Sequence, residues 1–298
     1  YWGTRESVLA LTLVQVLLGA LAVVGVSAAA ARLGGAPAGT WAGVLAAVHP
    51  GLALSSVMVM TEALAVPLLV GAALTWMRFL ERPGWVRGGM VGVACAAACL
   101  TRSQALYALP AMLLAAMMGP SGIARRSPRY LLATAAAFLV LMAPWTAYNA
   151  ARFGVFVLGD TKAGGSLWLN NHPSSNPFRE VWEGAPSANP PPAPVPGLNE
   201  AQADRLFRKM ALSYMWRNPL TTAEVSGLRL GLFLVPLPRY WHLPVLKVLV
   251  SAFYVAVTWL GIAGLWRARD DPRARLLAWL GLTWVVLLSL TAMGLRHR

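Results

Sequence analysis

Two charged residues interrupt apolar runs in which charge is otherwise rare, and such groups are functional candidates because burying them in hydrocarbon is costly. Glu62 stands in Val59-Met60-Thr61-Glu62-Ala63-Leu64, at the start of an apolar run. A carboxylate there suits a base, a metal ligand or a group that orients a hydroxyl. It also suits the first turn of a helix, where an acid complements the macrodipole. Arg102 lies between two short apolar legs, which pull its guanidinium to the level of lipid phosphates. Its planar fork matches a phosphate bidentately, and the same position fits an ordinary snorkelling arginine. Arg152 and Lys162 are further cation candidates, or solvated loop charges. His49 precedes Pro50 at a helix end and reads as structural. Gly164–Gly165, followed by Trp168, Asn170 and Asn171, offers aromatic and amide groups suited to carbohydrate, although Gly-Gly and Asn-His-Pro are also common turn chemistry. No Walker loop, HExxH, nucleophile elbow or CxxC pair is present, so nucleotide-driven chemistry has no support.

The elements that hold these residues belong in lipid. Of 298 residues, 57% are hydrophobic and only 12% charged, with a mean hydropathy of +0.57. A soluble domain carries about a quarter charged residues, so this chain cannot cover itself with polar surface. The net charge of +14 does not indicate nucleic acid, because the basic residues sit between apolar runs and not along one face. Cys95 and Cys99 lie i, i+4 in an apolar run and read as packing residues. Tyr1 is not an initiator Met, and Arg298 follows an apolar run directly; a longer parent polypeptide is expected at both ends.

The fold expected is all-α, a multi-pass transmembrane bundle with one large external segment. Ser7–Ala31 is long enough, at about 1.5 Å per residue, to cross a core of about 30 Å. The basic clusters at Arg32, at Arg78, Arg82 and Arg87, at Arg125, Arg126 and Arg129, and at Arg267, Arg269, Arg273 and Arg275 all belong on the cytoplasmic side. An even number of crossings must therefore separate each cluster from the next. That parity gives a hairpin of Pro37–Leu54 and Val57–Met77, two short legs within Gly88–Met118 broken at Thr101–Arg102, and then Tyr130–Ala147, Leu246–Trp266 and Leu276–Leu290. The eight crossings divide the chain into helices over 1–147, with external tips at 49–62 and 101–103, an external or interfacial segment over 148–244, and two further helices over 245–298. Within the external segment, 184–198 is a proline-rich linker. Asn199 opens a helix with Gln202 three residues on. Its apolar face, Leu206, Phe207, Met210, Ala211 and Tyr214, would lie in the membrane interface or pack on a local core.

In this order the features resemble a known family. His49-Pro50, Ser55-Ser56 and Thr61-Glu62-Ala63-Leu64 are similar to a segment of polyprenyl-phosphate-sugar-dependent glycosyltransferases, the protein-O-mannosyltransferase and aminoarabinose-transferase-like branch of the GT-C superfamily. Leu100-Thr101-Arg102 resembles that family's Leu-Thr-Arg or Leu-Thr-Lys break. Pro144-Trp145-Thr146-Ala147-Tyr148-Asn149, followed by Arg152-Phe153-Gly154, resembles its Pro-Trp-Thr-x-Arg-Asn signature, with Tyr148 where an arginine is usual. The resemblance covers most of Ser7–Val235 in feature order through short motifs.

The resemblance implies a GT-C bundle in which a catalytic Asp lies upstream of Tyr1, so that the chain alone would lack its general base. Glu62 would be a second carboxylate near the reaction centre, sometimes linked to a divalent metal. Arg102, with Arg152 as a second candidate, would hold the donor phosphate. His49, Tyr148, Trp168 and Asn170 are candidate sugar or acceptor contacts. The expected partners are the bilayer, a polyprenyl-phosphate-linked sugar and a lipid, protein or polysaccharide acceptor, with no nucleic acid. The expected location is a bacterial inner or plasma membrane, with the site on the external face. The rival reading is a transporter or flippase of lipids or lipid-linked sugars, which would place ionisable groups near the midplane; here the charges gather at one face.

Overall fold

The computed structural model describes residues 8–118, 128–173, 195–234 and 244–271, together with 277–278 and 281–282. All regular structure among them is helical, and the fold is an all-α membrane bundle. In chain order the helices are α1 (Val8–Ala47), α2 (Pro50–Val57), α3 (Glu62–Glu81), α4 (Trp85–Thr101), α5 (Ala108–Met118), α6 (Pro128–Phe153), α7 (Ala163–Asn170), α8 (Glu200–Arg217), α9 (Pro219–Leu234) and α10 (Pro244–Arg267), with a 3₁₀ turn at Ser103–Tyr107. Within these, Val8–Ala47, Glu62–Glu81, Pro128–Phe153 and Val248–Arg267 are long and apolar enough to cross a membrane, and Trp85–Thr101 and Ser103–Met117 are shorter apolar helices. The residues fall into two compact units divided between Pro144 and Trp145.

In the first unit, α1 is two legs and not one rod. Gly35 takes φ 78°, a left-handed conformation open to a residue without Cβ, and the chain folds back there. Ser27 Oγ consequently donates to the Gly39 carbonyl at 2.9 Å, although twelve residues along a straight helix would span about 18 Å. The chain thus reverses between the expected spans Ser7–Ala31 and Pro37–Leu54, but the second of them is stepped. It stops at Ala47, and α2 starts afresh at Pro50. Residues 36–47 rise only about 18 Å, so His49 stands short of a full crossing of about 30 Å. The next helix begins at Glu62 and not at Val57.

The chain direction in this unit is fixed by contacts at both ends. Gln15 meets Met58 and Met60, and Arg32 pairs with Glu81 at 3.2 Å; α3 therefore runs alongside the first leg of α1 in the same direction. The Cys95 thiol approaches Met112 Sδ at 3.8 Å, so α4 and α5 are the two short antiparallel legs expected on either side of Arg102. Neither cysteine is in a disulfide and both are buried, as packing residues should be.

Packing is inverted relative to a soluble protein. The buried residues are mostly small, such as Ala22, Ala63, Ala72, Ala96 and Ala111, while Leu9, Leu13, Leu17, Leu21 and Val24 point outward. Lipid solvates the large side chains, and close approach of small ones supplies helix–helix attraction. One close approach of this kind is α4 against α6. A Cβ on Gly88 would lie 2.6 Å from the Tyr130 carbonyl oxygen, and one on Gly92 would meet the Thr134 carbonyl and lie 2.9 Å from the Phe138 nitrogen. Gly92→Ala therefore forces two backbones apart and should destabilise by about 1–3 kcal/mol. Gly89→Ala, with nothing within 4 Å, should be neutral or stabilising by up to about 1 kcal/mol through helix propensity. Detergent thermal unfolding of the two variants checks the contrast.

In the second unit, the helix carrying the Pro-Trp-Thr motif continues to Phe153, so Tyr148, Asn149 and Arg152 are helical and not loop residues. Gly154, at φ 68°, ends it, with its N–H bonded to the Ala150 carbonyl at 2.9 Å. Helix α8 starts with the expected capping box, Asn199 and Gln202 each bonding the other's backbone. Its packed face overlaps the expected one only in part. Ala211 is buried and Phe207 and Tyr214 are half-buried, Leu206 and Met210 are exposed, and Ala201 and Asp204 are buried in addition. Most of the proline-rich linker over 184–198 lies outside the described residues, as does most of Leu276–Leu290.

Candidate active site

The second unit places its candidates in two groups. Tyr148 and Arg152 are one helical turn apart, and Arg152 Nη1 donates to the Tyr148 hydroxyl at 3.1 Å. Tyr148 stacks on Trp145 (centroids 6.1 Å apart), and Trp145 Nε1 donates to the Gly159 carbonyl at 3.0 Å. Trp168 and Asn170 lie on α7. Trp168 faces His172 at 5.6 Å, and Asn170 Nδ2 donates back to the Ser166 carbonyl at 2.6 Å.

The short helix α7 is held at both ends by buried charges. At its start, Asp204 Oδ1 accepts from the N–H groups of Gly164 at 2.5 Å and Gly165 at 3.0 Å, and Oδ2 accepts from Arg208 at 2.9 Å. At its end, the Arg229 guanidinium donates to the Asn170 carbonyl and, at 3.2 Å, to Asn171 Oδ1. Acid at the positive end and base at the negative end both complement the helix dipole. The Gly-Gly pair thus serves close approach: a Cβ on Gly164 would run into the Asp204 carbonyl. Asp204→Ala would leave two amide groups unpaired, one of them buried, and should cost about 1–3 kcal/mol. Asp204→Asn, which keeps an acceptor, should cost less. Thermal unfolding in detergent orders the pair.

The first unit brings Glu62 and Arg102 into contact. Glu62 is the first residue of α3, and the Thr61 hydroxyl donates to its Oε2 at 3.2 Å. Arg102 ends α4 in an extended conformation (φ −150°, ψ 116°), with its N–H bonded to the Ala98 carbonyl at 2.9 Å and its own carbonyl accepting from Ala105 at 2.9 Å. From this break between the legs, Arg102 Nη1 forms an ion pair with Glu62 Oε1, and Nε donates to Gln104 Oε1 at 2.5 Å. The side chains are 26% and 20% exposed, sheltered yet open to a ligand. A guanidinium has five N–H donors; two are engaged here, which leaves capacity for a further oxyanion.

Residues 4–148 match the family model described as dolichyl-phosphate-mannose-protein mannosyltransferase. Over this stretch, just under half of its length, the chain is similar to that family. The match and the apolar helices support a membrane glycosyltransferase and are consistent with the GT-C type. No curated protein and no solved structure matches it.

The family match spans His49, Glu62, Arg102 and Tyr148, and stops short of Arg152, Trp168 and Asn170. His49 caps α2: its Nδ1 accepts from the Leu52 N–H at 3.3 Å, which puts the ring proton on Nε2. For a divalent metal the pair is a poor cradle. It offers one carboxylate already neutralised by a guanidinium, and no group of three His, Cys, Asp or Glu residues stands together among the described residues.

Sequence reasoning passed over Gln104, Gln15, Asp204 and Arg229. Arg229 had a readable signal, as the single charge in Gly227-Leu228-Arg229-Leu230-Gly231. So did Gln15, an amide within an apolar span.

Proposed function

We propose that the chain transfers a sugar from a polyprenyl-phosphate donor to an acceptor at the outer face of the membrane, with Arg102 holding the donor phosphate and Glu62 fixing Arg102. The observation that carries this reading is the Glu62–Arg102 pair at the break between two short helices. An acceptor hydroxyl attacks the anomeric carbon, the bond from that carbon to the phosphate oxygen breaks, and polyprenyl phosphate leaves. Negative charge grows on the departing phosphate, and a preplaced guanidinium stabilises it. The hydroxyl proton goes to a base, for which the family resemblance suggests an aspartate upstream of Tyr1. Arg152 is proposed as a second phosphate-binding cation, and His49, Tyr148, Trp168 and Asn170 as sugar or acceptor contacts, since aromatic and amide groups suit a sugar ring.

The test uses the full-length protein in vesicles with radiolabelled polyprenyl-phosphate mannose and a membrane extract as acceptor source. Label transferred to acceptor with release of polyprenyl phosphate is the expected result. Intact donor carried across the bilayer without cleavage would establish a flippase instead.

A further inference from the structure

We infer that Gln15 is a positioning residue that holds the start of α3, and hence Glu62, in register with Arg102; this rests on the Glu62–Arg102 reading above. Between α2 and α3 the chain leaves helical geometry at Met58, which is extended at φ −94° and ψ 137°. Carbonyls freed by this break need donors where they turn toward another helix. Gln15 supplies them: its Nε2 donates to the Met58 carbonyl at 3.1 Å and the Met60 carbonyl at 3.2 Å. A primary amide has two N–H donors, and both are committed to this link.

The link's own side chains do not anchor it. Val57, Met58 and Val59 are 59%, 50% and 63% exposed. Its attachment to α1 is through backbone carbonyls, and Gln15, 5% exposed, is the side chain that grips them. Met60 is two residues from Glu62, so the level at which Gln15 holds Met60 sets where the carboxylate meets the guanidinium. The amide also retains a buried Oε1 without a hydrogen-bond partner, a cost that an apolar side chain at this position would not carry. That makes a purely space-filling role a poor account of the residue.

The experiment is donor turnover by the full-length protein, with polyprenyl-phosphate mannose as probe, for Gln15→Leu, Gln15→Glu, Glu62→Gln and the double variant Gln15→Leu/Glu62→Gln. Misplacement by about 1 Å can cost about 100-fold, so Gln15→Leu should lose 10- to 100-fold in kcat. In the Glu62→Gln background the same change should cost nothing further, because Gln15 acts through Glu62. Gln15→Glu should regain turnover only at low pH, where a protonated carboxyl can donate one hydrogen bond and an ionised one cannot. That pH dependence also covers the case in which Gln15→Leu fails to fold. Wild-type turnover of Gln15→Leu, an equal loss in both backgrounds, or a Gln15→Glu variant whose pH profile matches wild type would overturn the inference. Full activity of Glu62→Gln alone would instead remove the reading on which it rests, and the inference with it.

Discussion

Arg102→Ala should lose donor binding and reduce turnover by about 10²- to 10³-fold, in the range seen when one preplaced oxyanion donor is removed. Arg102→Lys should retain intermediate activity, because lysine keeps the charge but not the planar fork. The geometry makes the loss specific. The guanidinium is held by Glu62 and Gln104, so its remaining donors are aimed before the phosphate arrives. Lysine, a flexible point charge, can satisfy Glu62 or the phosphate but orients neither. Protein level should be little altered, since a partly exposed ion pair contributes about 0–1 kcal/mol. Binding of radiolabelled polyprenyl phosphate, measured beside turnover, separates the roles. Unchanged binding in Arg102→Ala would reduce the residue to an interfacial anchor.

Glu62→Gln should fold normally and lose about 100-fold in turnover. Glutamine fills the same space and can still accept a hydrogen bond from Arg102, so the geometry survives while the countercharge does not. If Glu62 only complements the start of α3, the change costs about 0.3–1 kcal/mol of stability and leaves turnover intact. Turnover and thermal unfolding of one preparation therefore decide between the two roles; activity within twofold of wild type would take Glu62 out of the site.

The long spans were legible because lipid imposes one rule on them, a charge-free run long enough to cross. The pairing of Glu62 with Arg102 was half legible. Parity of the basic loops put both residues at one face, but nothing in the residues themselves said they would touch. Contacts such as Gln15 to Met58, 43 positions apart, depend on how helices align, which periodicity does not encode. Helix α8 shows periodicity reading only part of a face. Its 3.6-residue pattern picked out Ala211, which is buried, and Phe207 and Tyr214, which are half-buried, but not Asp204, whose burial serves the start of another helix. His49 could be assigned as a cap from the Pro50 that follows it. The step in the leg falls at that same His49-Pro50 break, but sequence does not say whether such a break merely bends a span or ends it.

The glycine contact between α4 and α6 bears on how the protein is made. Helix α4 has 17 residues, about 26 Å at helical rise, and is short for the bilayer it enters. Its glycine surface fits the backbone of α6, which leaves the ribosome about forty residues later. During synthesis α4 is therefore both too short for lipid and missing its mate. Insertion of α4 through α6 as a group, held together at the translocon until Thr134 and Phe138 emerge, follows from that delay.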